Sequence, residues 1–303
     1  MILDKSGGFL LFNKKPGITS FESLAIVKKA FATGKVGHTG TLDKFASGLL
    51  LLLVGRAVKL APLFENCVKE YTGQIFFGAE TDTLDPEGEI IARGNIPRRE
   101  EIEAVLETFR GEIMQSPPAY SAIHVNGRRA SELAREGKEP SMKKRPVTVH
   151  KLEILSFTPP QAEIFCRVSS GTYIRSLARD IALEAGTRAH LTALKRSGVG
   201  PFSLEDAVCY SGEDDRESIV HALKPIDRTI FNLLCLSVFL LIEEKAVEAF
   251  FHGKPLSKLL EDAEFYPGQE NLSFAGVFWQ NTLVAILEYR NNKWNYGHVF
   301  RNN

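Results

Sequence analysis

The stretch Gly37-His38-Thr39-Gly40-Thr41-Leu42-Asp43, continued by Ala46-Ser47-Gly48-Leu49-Leu50, is crowded with small and polar residues. Gly37, Gly40 and Gly48 permit tight turns and close approach of a ligand to the backbone. Asp43 is the only carboxylate in this loop. Such a group can act as a base or a nucleophile, although a lone Asp beside glycines is more often a turn or helix cap. Other chemistries find no support in the residues. Gly34-Lys35 runs into Val36, so there is no phosphate-cradling loop, and neither H-E-x-x-H nor G-x-S-x-G occurs. No two histidines stand at metal-ligand spacing, and Asp82 with Asp85 fits a carboxylate-rich turn better than a calcium loop. Chemistry here is expected to run on ordinary side chains, with no metal and no cofactor.

The elements that must carry this loop follow from periodicity. Phe9–Phe12 reads as a strand ending at the turn Lys14-Lys15-Pro16-Gly17. Thr19-Ser20-Phe21-Glu22 has capping-box spacing, and Phe21, Leu24, Val27 and Phe31 recur at helical intervals up to Gly34. The unbroken apolar run Leu49–Val54 fits a buried strand or a buried helix equally. Tyr71–Gly78 reads as a strand closed by a turn around Asp85-Pro86-Glu87-Gly88. Arg98–Arg110 and Ile174–Ala185 are amphipathic helices, with Val147–Phe157 and Ala162–Val168 as strands between them. Ser116–Pro146 is polar, basic and broken by Pro117-Pro118, Gly127, Gly137 and Pro140, helical only over Ala130–Glu136, which marks a surface excursion. Ser211–Ser218 reads as a surface loop, and Phe274–Trp279, Leu283–Tyr289 and Trp294–Phe300 as short strands joined by Asn-rich turns.

The chain has 303 residues, 44% apolar and 24% charged, which suits one large domain and a smaller one. Its longest apolar run, Leu233–Ile242, is too short to span a bilayer and is expected as buried strand. Four scattered cysteines without a C-x-x-C pair, and a start without a secretory pattern, point to the cytoplasm. The net charge is zero, so basic clusters at Lys14–Lys15, Arg128–Arg129, Lys143–Lys144–Arg145 and Lys195–Arg196 do not by themselves identify a nucleic-acid partner.

The loop from Gly37 to Leu50 closely resembles the catalytic loop of the TruB family of tRNA pseudouridine synthases, G-H-T-G-T/A-L-D-P-x-A-x-G-L-L. Further segments are similar in the same order. Lys15-Pro16-Gly17-Ile18-Thr19-Ser20 resembles K-P-x-G-x-T-S, Lys69-Glu70-Tyr71 resembles K-x-Y, and Thr81 to Gly88 resembles T-D-T-x-D-x-x-G. Pro117-Pro118-Ala119-Tyr120-Ser121-Ala122 resembles P-P-x-Y-S-A. Gly171-Thr172-Tyr173-Ile174-Arg175-Ser176-Leu177 resembles G-T-Y-I-R-S-L, and Ala189-His190-Leu191 through Leu194 the helix beyond it. The likeness covers Phe9 to about Val208. One departure stands beside Asp43: the family's Pro is replaced by Lys44-Phe45, which removes a fixed φ and adds a charge.

The resemblance implies an α+β fold, with a catalytic domain over residues 1–230 built on a central mixed, largely antiparallel sheet flanked by helices. A small β-rich domain over 236–303 follows, and the Phe251-His252-Gly253-Lys254-Pro255-Leu256 segment at its head resembles the start of a PUA-type domain. The implied reaction is isomerisation of a uridine in the T loop of tRNA, position 55, after the nucleotide is flipped out of its stack. By the same resemblance Asp43 is the catalytic carboxylate, Arg175 keeps it charged, and Tyr71 stacks on the flipped uracil. Tyr173 and Leu194 wall the pocket, and His38 occupies the vacated space. Lys15, Arg128, Arg129, Lys143, Lys144 and Arg145 are expected to meet tRNA phosphates. A monomer without an obligate protein partner or a membrane is expected. The alternatives are a non-catalytic RNA-binding or RNA-folding protein on the same scaffold, and a pseudouridine synthase with another RNA target.

Overall fold

The computed structural model describes residues 7–138, 140–210, 212, 215–268 and 271–300. In chain order it opens with β1 (Gly8–Lys14), α1 (Ser20–Phe31), β2 (Val36–His38), β3 (Ser47–Val54), α2 (Ala61–Glu65) and β4 (Lys69–Phe77). The small hairpin of β5 (Ala79–Thr81) and β6 (Ile90–Arg93), then α3 (Arg99–Leu106) and β7 (Gly111–Gln115), lead into the basic excursion. That excursion holds β8 (His124–Val125), β9 (Arg128–Arg129) and α4 (Ala130–Arg135). The chain returns through β10 (Arg145–Thr158), β11 (Gln161–Val168), α5 (Ile174–Glu184) and β12 (Ala189–Val199). Short strands β13 (Phe202–Ser203) and β14 (Val208–Cys209) and helices α6 (Arg216–His221) and α7 (Arg228–Leu233) follow. The chain ends in β15 (Leu236–Leu241), α8 (Glu244–Phe251), α9 (Leu256–Leu259), β16 (Glu264–Tyr266), β17 (Asn271–Trp279), β18 (Thr282–Arg290) and β19 (Lys293–Val299).

The large sheet has the strand order β14-β1-β3-β12-β4-β11-β10-β7, with β2 added to β3 and β13 to β12. Its β1–β14 and β3–β12 pairs are parallel and the rest antiparallel, so the sheet is mixed as expected. A second sheet, β16-β15-β17-β18-β19, carries the β-rich end of the chain. Among the described residues, no helix is long and apolar enough to cross a membrane.

The apolar run of β3 resolves as strand, and the reason is burial on both faces. Successive strand side chains point to opposite sides. Leu50, Leu52 and Val54 join Leu10 and Phe12 of β1 in a core covered by Leu24 and Val27 of α1 and Leu177 and Ile181 of α5. Leu49, Leu51 and Leu53 join Phe9 and Leu11 in another core, closed by Phe231, Leu236, Phe278, Ile286 and Phe300. The C-terminal sheet therefore packs on the back of the large one. Each fully buried Leu or Phe contributes about 1.5–3 kcal/mol.

Several expectations are corrected. The segment from Ala189 through Leu194 is strand, not helix: β12 pairs with β4 over Ala189–Val199. Bulges between Leu191 and Ala193 and between Arg196 and Gly198 break its alternation, leaving Leu191 and Leu194 buried at a spacing that imitates a helix. Helix α1 has its capping box, with Thr19 Oγ1 accepting the Glu22 N–H and the Glu22 carboxylate accepting the Thr19 N–H. It ends at Ala32, left-handed at φ 50°, before Gly34 is reached, and Phe21 lies on its exposed side. Arg145 and Pro146 belong to β10 and not to the excursion. Of the expected loop Ser211–Ser218, Ser211, Glu213 and Asp214 lie outside the described residues, while Arg216–Ser218 is already inside α6.

Candidate active site

Strands β2 and β3 form an antiparallel pair, with Gly37 opposite Leu53 and His38 opposite Leu52, and the candidate loop is their connection. His38 is thus the last residue of a strand, not part of the loop itself. The pairing continues at Thr39, whose N–H donates to the Leu51 carbonyl. A turn follows in which the Ala46 N–H donates to the Asp43 carbonyl at 3.2 Å. Gly48, at φ +103°, admits the next step, because a Cβ there would lie 2.3 Å from the Arg196 carbonyl oxygen of β12.

Both neighbours of Asp43 are clamped from the β1–α1 junction. On one side Ser20 Oγ accepts the Leu42 N–H at 2.9 Å and donates to the Leu42 carbonyl at 3.0 Å. On the other, the Lys44 carbonyl accepts the Gly17 N–H at 2.8 Å and Lys14 Nζ at 3.3 Å. Lys14 is sealed from solvent and also donates to the carbonyls of Ile18 at 2.6 Å and Lys15 at 3.0 Å. Burial brings its ammonium down to about 8, against the opposing pull of Asp43. Lys15, the lysine singled out in the sequence, is exposed. From below, buried Arg196 donates to the carbonyls of Leu49 at 2.7 Å and Gly40 at 3.1 Å.

The Asp43 side chain, 33% exposed, faces Arg175, which is 5% exposed. Arg175 Nη2 donates to Asp43 Oδ1 at 2.8 Å and to the Tyr120 carbonyl at 3.1 Å. Nη1 donates to Asp85 Oδ2 at 3.1 Å and to the Thr83 carbonyl at 2.8 Å. One guanidinium therefore bridges two carboxylates, the fork geometry that suits arginine and not lysine. Desolvation pushes the Asp43 carboxyl above the usual carboxylate range; the Arg175 charge opposes this and Asp85 reinforces it. Asp85 is fixed by its own turn, where Oδ1 accepts from Thr83 Oγ1 at 2.6 Å and from the Glu87 N–H at 3.1 Å. Within that turn Leu84 is left-handed at φ 62°, a costly conformation for a non-glycine residue, and its carbonyl accepts the Leu191 N–H.

The departure at Lys44 acquires a role. Its Nζ pairs with Glu87 Oε1 at 3.1 Å, tying the Asp43 loop to the turn that carries Asp85. Both partners are about half exposed, so the bond is worth under about 1 kcal/mol.

Tyr71 on β4 is 7% exposed and Leu194 on β12 is 6% exposed, both in the core beneath the loop. Leu194 lies opposite Gly73, where an added Cβ would meet Leu194 Cδ1 at 3.5 Å. Tyr173 immediately precedes α5, and the Arg145 guanidinium lies 5.1 Å from its ring centroid. His38 Nδ1 is buried without a hydrogen-bond partner, and burial followed by the Arg196 charge lowers its pKa, which keeps the ring neutral at pH 7. The basic residues divide. Arg128, Arg129, Lys143 and Lys144 are exposed, with Arg128 ion-paired to Glu136; Arg145 is half-buried and donates to the Gly171 carbonyl.

Residue types alone favour a turn or a cap at Asp43; the resemblance nominates both Asp43 and Arg175. Lys14, Arg196 and Asp85 were passed over as site residues. Asp85 lay inside a matched motif but was read only as a turn, and Lys14 and Arg196 gave no signal beyond belonging to basic pairs.

The comparisons with known proteins point to one family. Residues 28–174 match the N-terminal domain model of the TruB family pseudouridylate synthases. A tRNA pseudouridine synthase B of Borreliella burgdorferi (strain ZS7) is 49% identical over 203 residues, 66% of this chain and 72% of the relative. The protein of that name from Zymomonas mobilis subsp. mobilis is 45% identical over 211 residues, 68% of this chain and 70% of the relative. Among solved structures, a Cbf5-Nop10-Gar1 complex contains a chain that superposes with a TM-score of 0.70 at 24% identity. That superposition covers 98% of this chain and 84% of the other, so the fold is shared through both sheets. With its matched residues spanning the Asp43 loop and reaching the start of α5, the chain belongs to the TruB family of pseudouridylate synthases.

Proposed function

We propose that this chain converts the uridine at position 55 of the tRNA T loop into pseudouridine, with Asp43 as the catalytic carboxylate. It acts in the cytoplasm as a monomer, without an obligate protein partner. The observation that carries the reading is the Arg175–Asp43 ion pair at 2.8 Å in the family-matched loop. The reaction breaks the bond between uracil N1 and C1′, turns the base and joins C5 to the same C1′. The C5 proton leaves and N1 gains one, so nothing is added or lost.

Asp43 is one-third exposed at the loop surface, where a flipped nucleotide can reach it, and it starts the reaction by attacking C1′ or by taking a sugar proton. Either role needs the ionised form, which burial opposes and Arg175 favours. Arg175 therefore acts on Asp43 and not on the base. Tyr71 stacks on the uracil, Tyr173 and Leu194 line its pocket, and His38 fills the space that the base leaves. Lys15, Arg128, Arg129, Lys143, Lys144 and Arg145 serve the tRNA backbone. The divided environments give exposed Lys143 and Lys144 the phosphate role most directly, while Arg145 also supports Tyr173.

The experiment is pseudouridine mapping by carbodiimide-blocked primer extension on unmodified tRNA, with wild type and Asp43→Asn. A T-loop stop with wild type alone is expected. A stop with Asp43→Asn would remove the carboxylate from the mechanism. No stop with either protein, despite tRNA binding, would favour the RNA-folding reading.

A further inference from the structure

Gln115 is the last residue of β7, and it is 1% exposed. Its carboxamide makes two bonds to the backbone of a single residue, Tyr173, one to each of the peptide units that flank its Cα. Nε2 donates to the Tyr173 carbonyl at 3.0 Å, and Oε1 accepts the Tyr173 N–H at 2.8 Å. Tyr173 is the N-cap of α5, a helix with no side-chain cap of its own, and Arg175 is the second residue of that helix. From the end of β7, Gln115 thus accepts the N-cap N–H, the donor that the third helical residue's side chain accepts in a capping box.

The same short segment is gripped a second time. Arg145 donates to the Gly171 carbonyl and lies over the Tyr173 ring. Gln115 and Arg145 are register partners at the ends of β7 and β10, and so form the two roots of the basic excursion. In return, α5 holds the start of the excursion: Arg175 donates to the Tyr120 carbonyl and Arg179 to the Ser116 carbonyl at 3.3 Å.

We propose that Gln115 is a positioning residue for pseudouridine formation: by clamping the Tyr173 backbone N–H and carbonyl it fixes the start of α5 and thereby the Arg175 guanidinium on Asp43. The roots of the tRNA-contacting excursion and the catalytic carboxylate then share one support. The inference rests on the reading of Asp43 and Arg175 given above. Misplacement of a reacting group by about 1 Å can cost roughly 100-fold in rate.

The test compares wild type, Gln115→Met, Gln115→Glu and Asp43→Asn on unmodified tRNA. Met matches glutamine in length but offers no polar end. Glu accepts the Tyr173 N–H but, ionised, has nothing to donate to the Tyr173 carbonyl. Single-turnover rate, tRNA affinity, thermal midpoint and the rate against pH are measured for each. The charged groups facing Asp43 are Arg175 from α5, Asp85 from its turn and Lys14 from β1. Of these, only Arg175 moves when the clamp is lost.

Both Gln115 variants are expected to lose rate by about 10–100-fold with tRNA affinity within about twofold. The acid limb of the rate profile is expected to move to higher pH, because a loosened Arg175 no longer favours the ionised Asp43. A lower midpoint alone would accompany any structural loss and decides nothing between the readings; the limb does. A folded Gln115→Met as fast as wild type, or slow with an unmoved limb, overturns the proposal. Should Gln115→Met fail to fold, Gln115→Glu carries the same comparison. An active Asp43→Asn would instead overturn the underlying reading of the site, an outcome distinct from an inactive Asp43→Asn beside a fast Gln115→Met.

Discussion

Replacing Asp85 by Asn tests the sharing of one arginine between two carboxylates. Asp85 Oδ1 is engaged by Thr83 Oγ1 and the Glu87 N–H, and Oδ2 by Arg175 Nη1. An amide cannot satisfy all three. With its oxygen toward the turn, its NH2 meets the Nη1 donor; flipped, it meets the Glu87 N–H. One bond is lost in either orientation, at a cost of about 1–3 kcal/mol for a buried group. Arg175 keeps Asp43, the Thr83 carbonyl and the Tyr120 carbonyl, so the larger penalty of an orphaned buried charge does not apply. At roughly 2–4 °C per kcal/mol, the thermal midpoint falls by about 4–8 °C in the middle of that range. The effect on activity has the opposite sense at low pH. Asp85 raises the Asp43 carboxyl, so removing its charge lets Asp43 stay ionised in more acidic solution. The assay is release of tritium from C5 of labelled uridine in tRNA, followed against pH under single-turnover conditions. The acid limb should move to lower pH while the protein becomes less stable. A limb that stays in place or moves to higher pH would refute the electrostatic coupling of the two carboxylates.

Three further outcomes are expected. In Arg175→Lys, a single ammonium cannot span acceptors on both Nη atoms, so kcat should fall by about two orders of magnitude and the acid limb should move to higher pH, which the same tritium assay reads. Removing the charges of exposed Lys143 and Lys144 together should flatten the salt dependence of tRNA affinity by about 1.4–1.8 in log–log slope if each meets one phosphate, with kcat at saturating tRNA retained. Lys69 is lowered to about 8 by burial, so the folded state sheds its proton before the unfolded state does; between about pH 8 and 10.5 this makes stability rise with pH. Denaturant unfolding of Lys69→Met should therefore show a smaller rise over that window than wild type.

The parts of this chain that were legible in its sequence are those where one side chain faces one environment. Thr19 and Glu22 announced the start of α1 because a capping box is local. Asp43 is legible as a catalyst only through its matched motif, because a lone Asp among glycines is more often a turn or a cap. The run Leu49–Val54 showed burial but not its element, since only tertiary packing says that both faces of β3 are covered. A helix over Ala189–Leu194 is what the resemblance implies; the bulged strand β12 is set by its pairing with β4, which no local pattern shows. Lys14 escaped notice for a similar reason: its three carbonyl acceptors come from the turn after β1 and from the Asp43 loop, and nothing in Lys14-Lys15 says which lysine turns inward. Asp85 needed Arg175, 90 residues away, before its carboxylate could be read as more than part of a turn.

The two-sided burial of β1 and β3 bears on how the C-terminal residues can be studied. Leu236, Phe278, Ile286 and Phe300 close over the side of those strands that α1 and α5 do not reach. Each apolar side chain returned to water costs about 1.5–3 kcal/mol, and a handful of them equals the whole stability of a typical fold, about 5–15 kcal/mol. A chain cut before β15 would therefore not be a smaller enzyme lacking an RNA contact. It would be a sheet with a bare oily back, inclined to self-association, and any loss of tRNA affinity in it would report that surface. The contribution of β15–β19 to RNA has to be read from single exposed side chains changed within the intact chain.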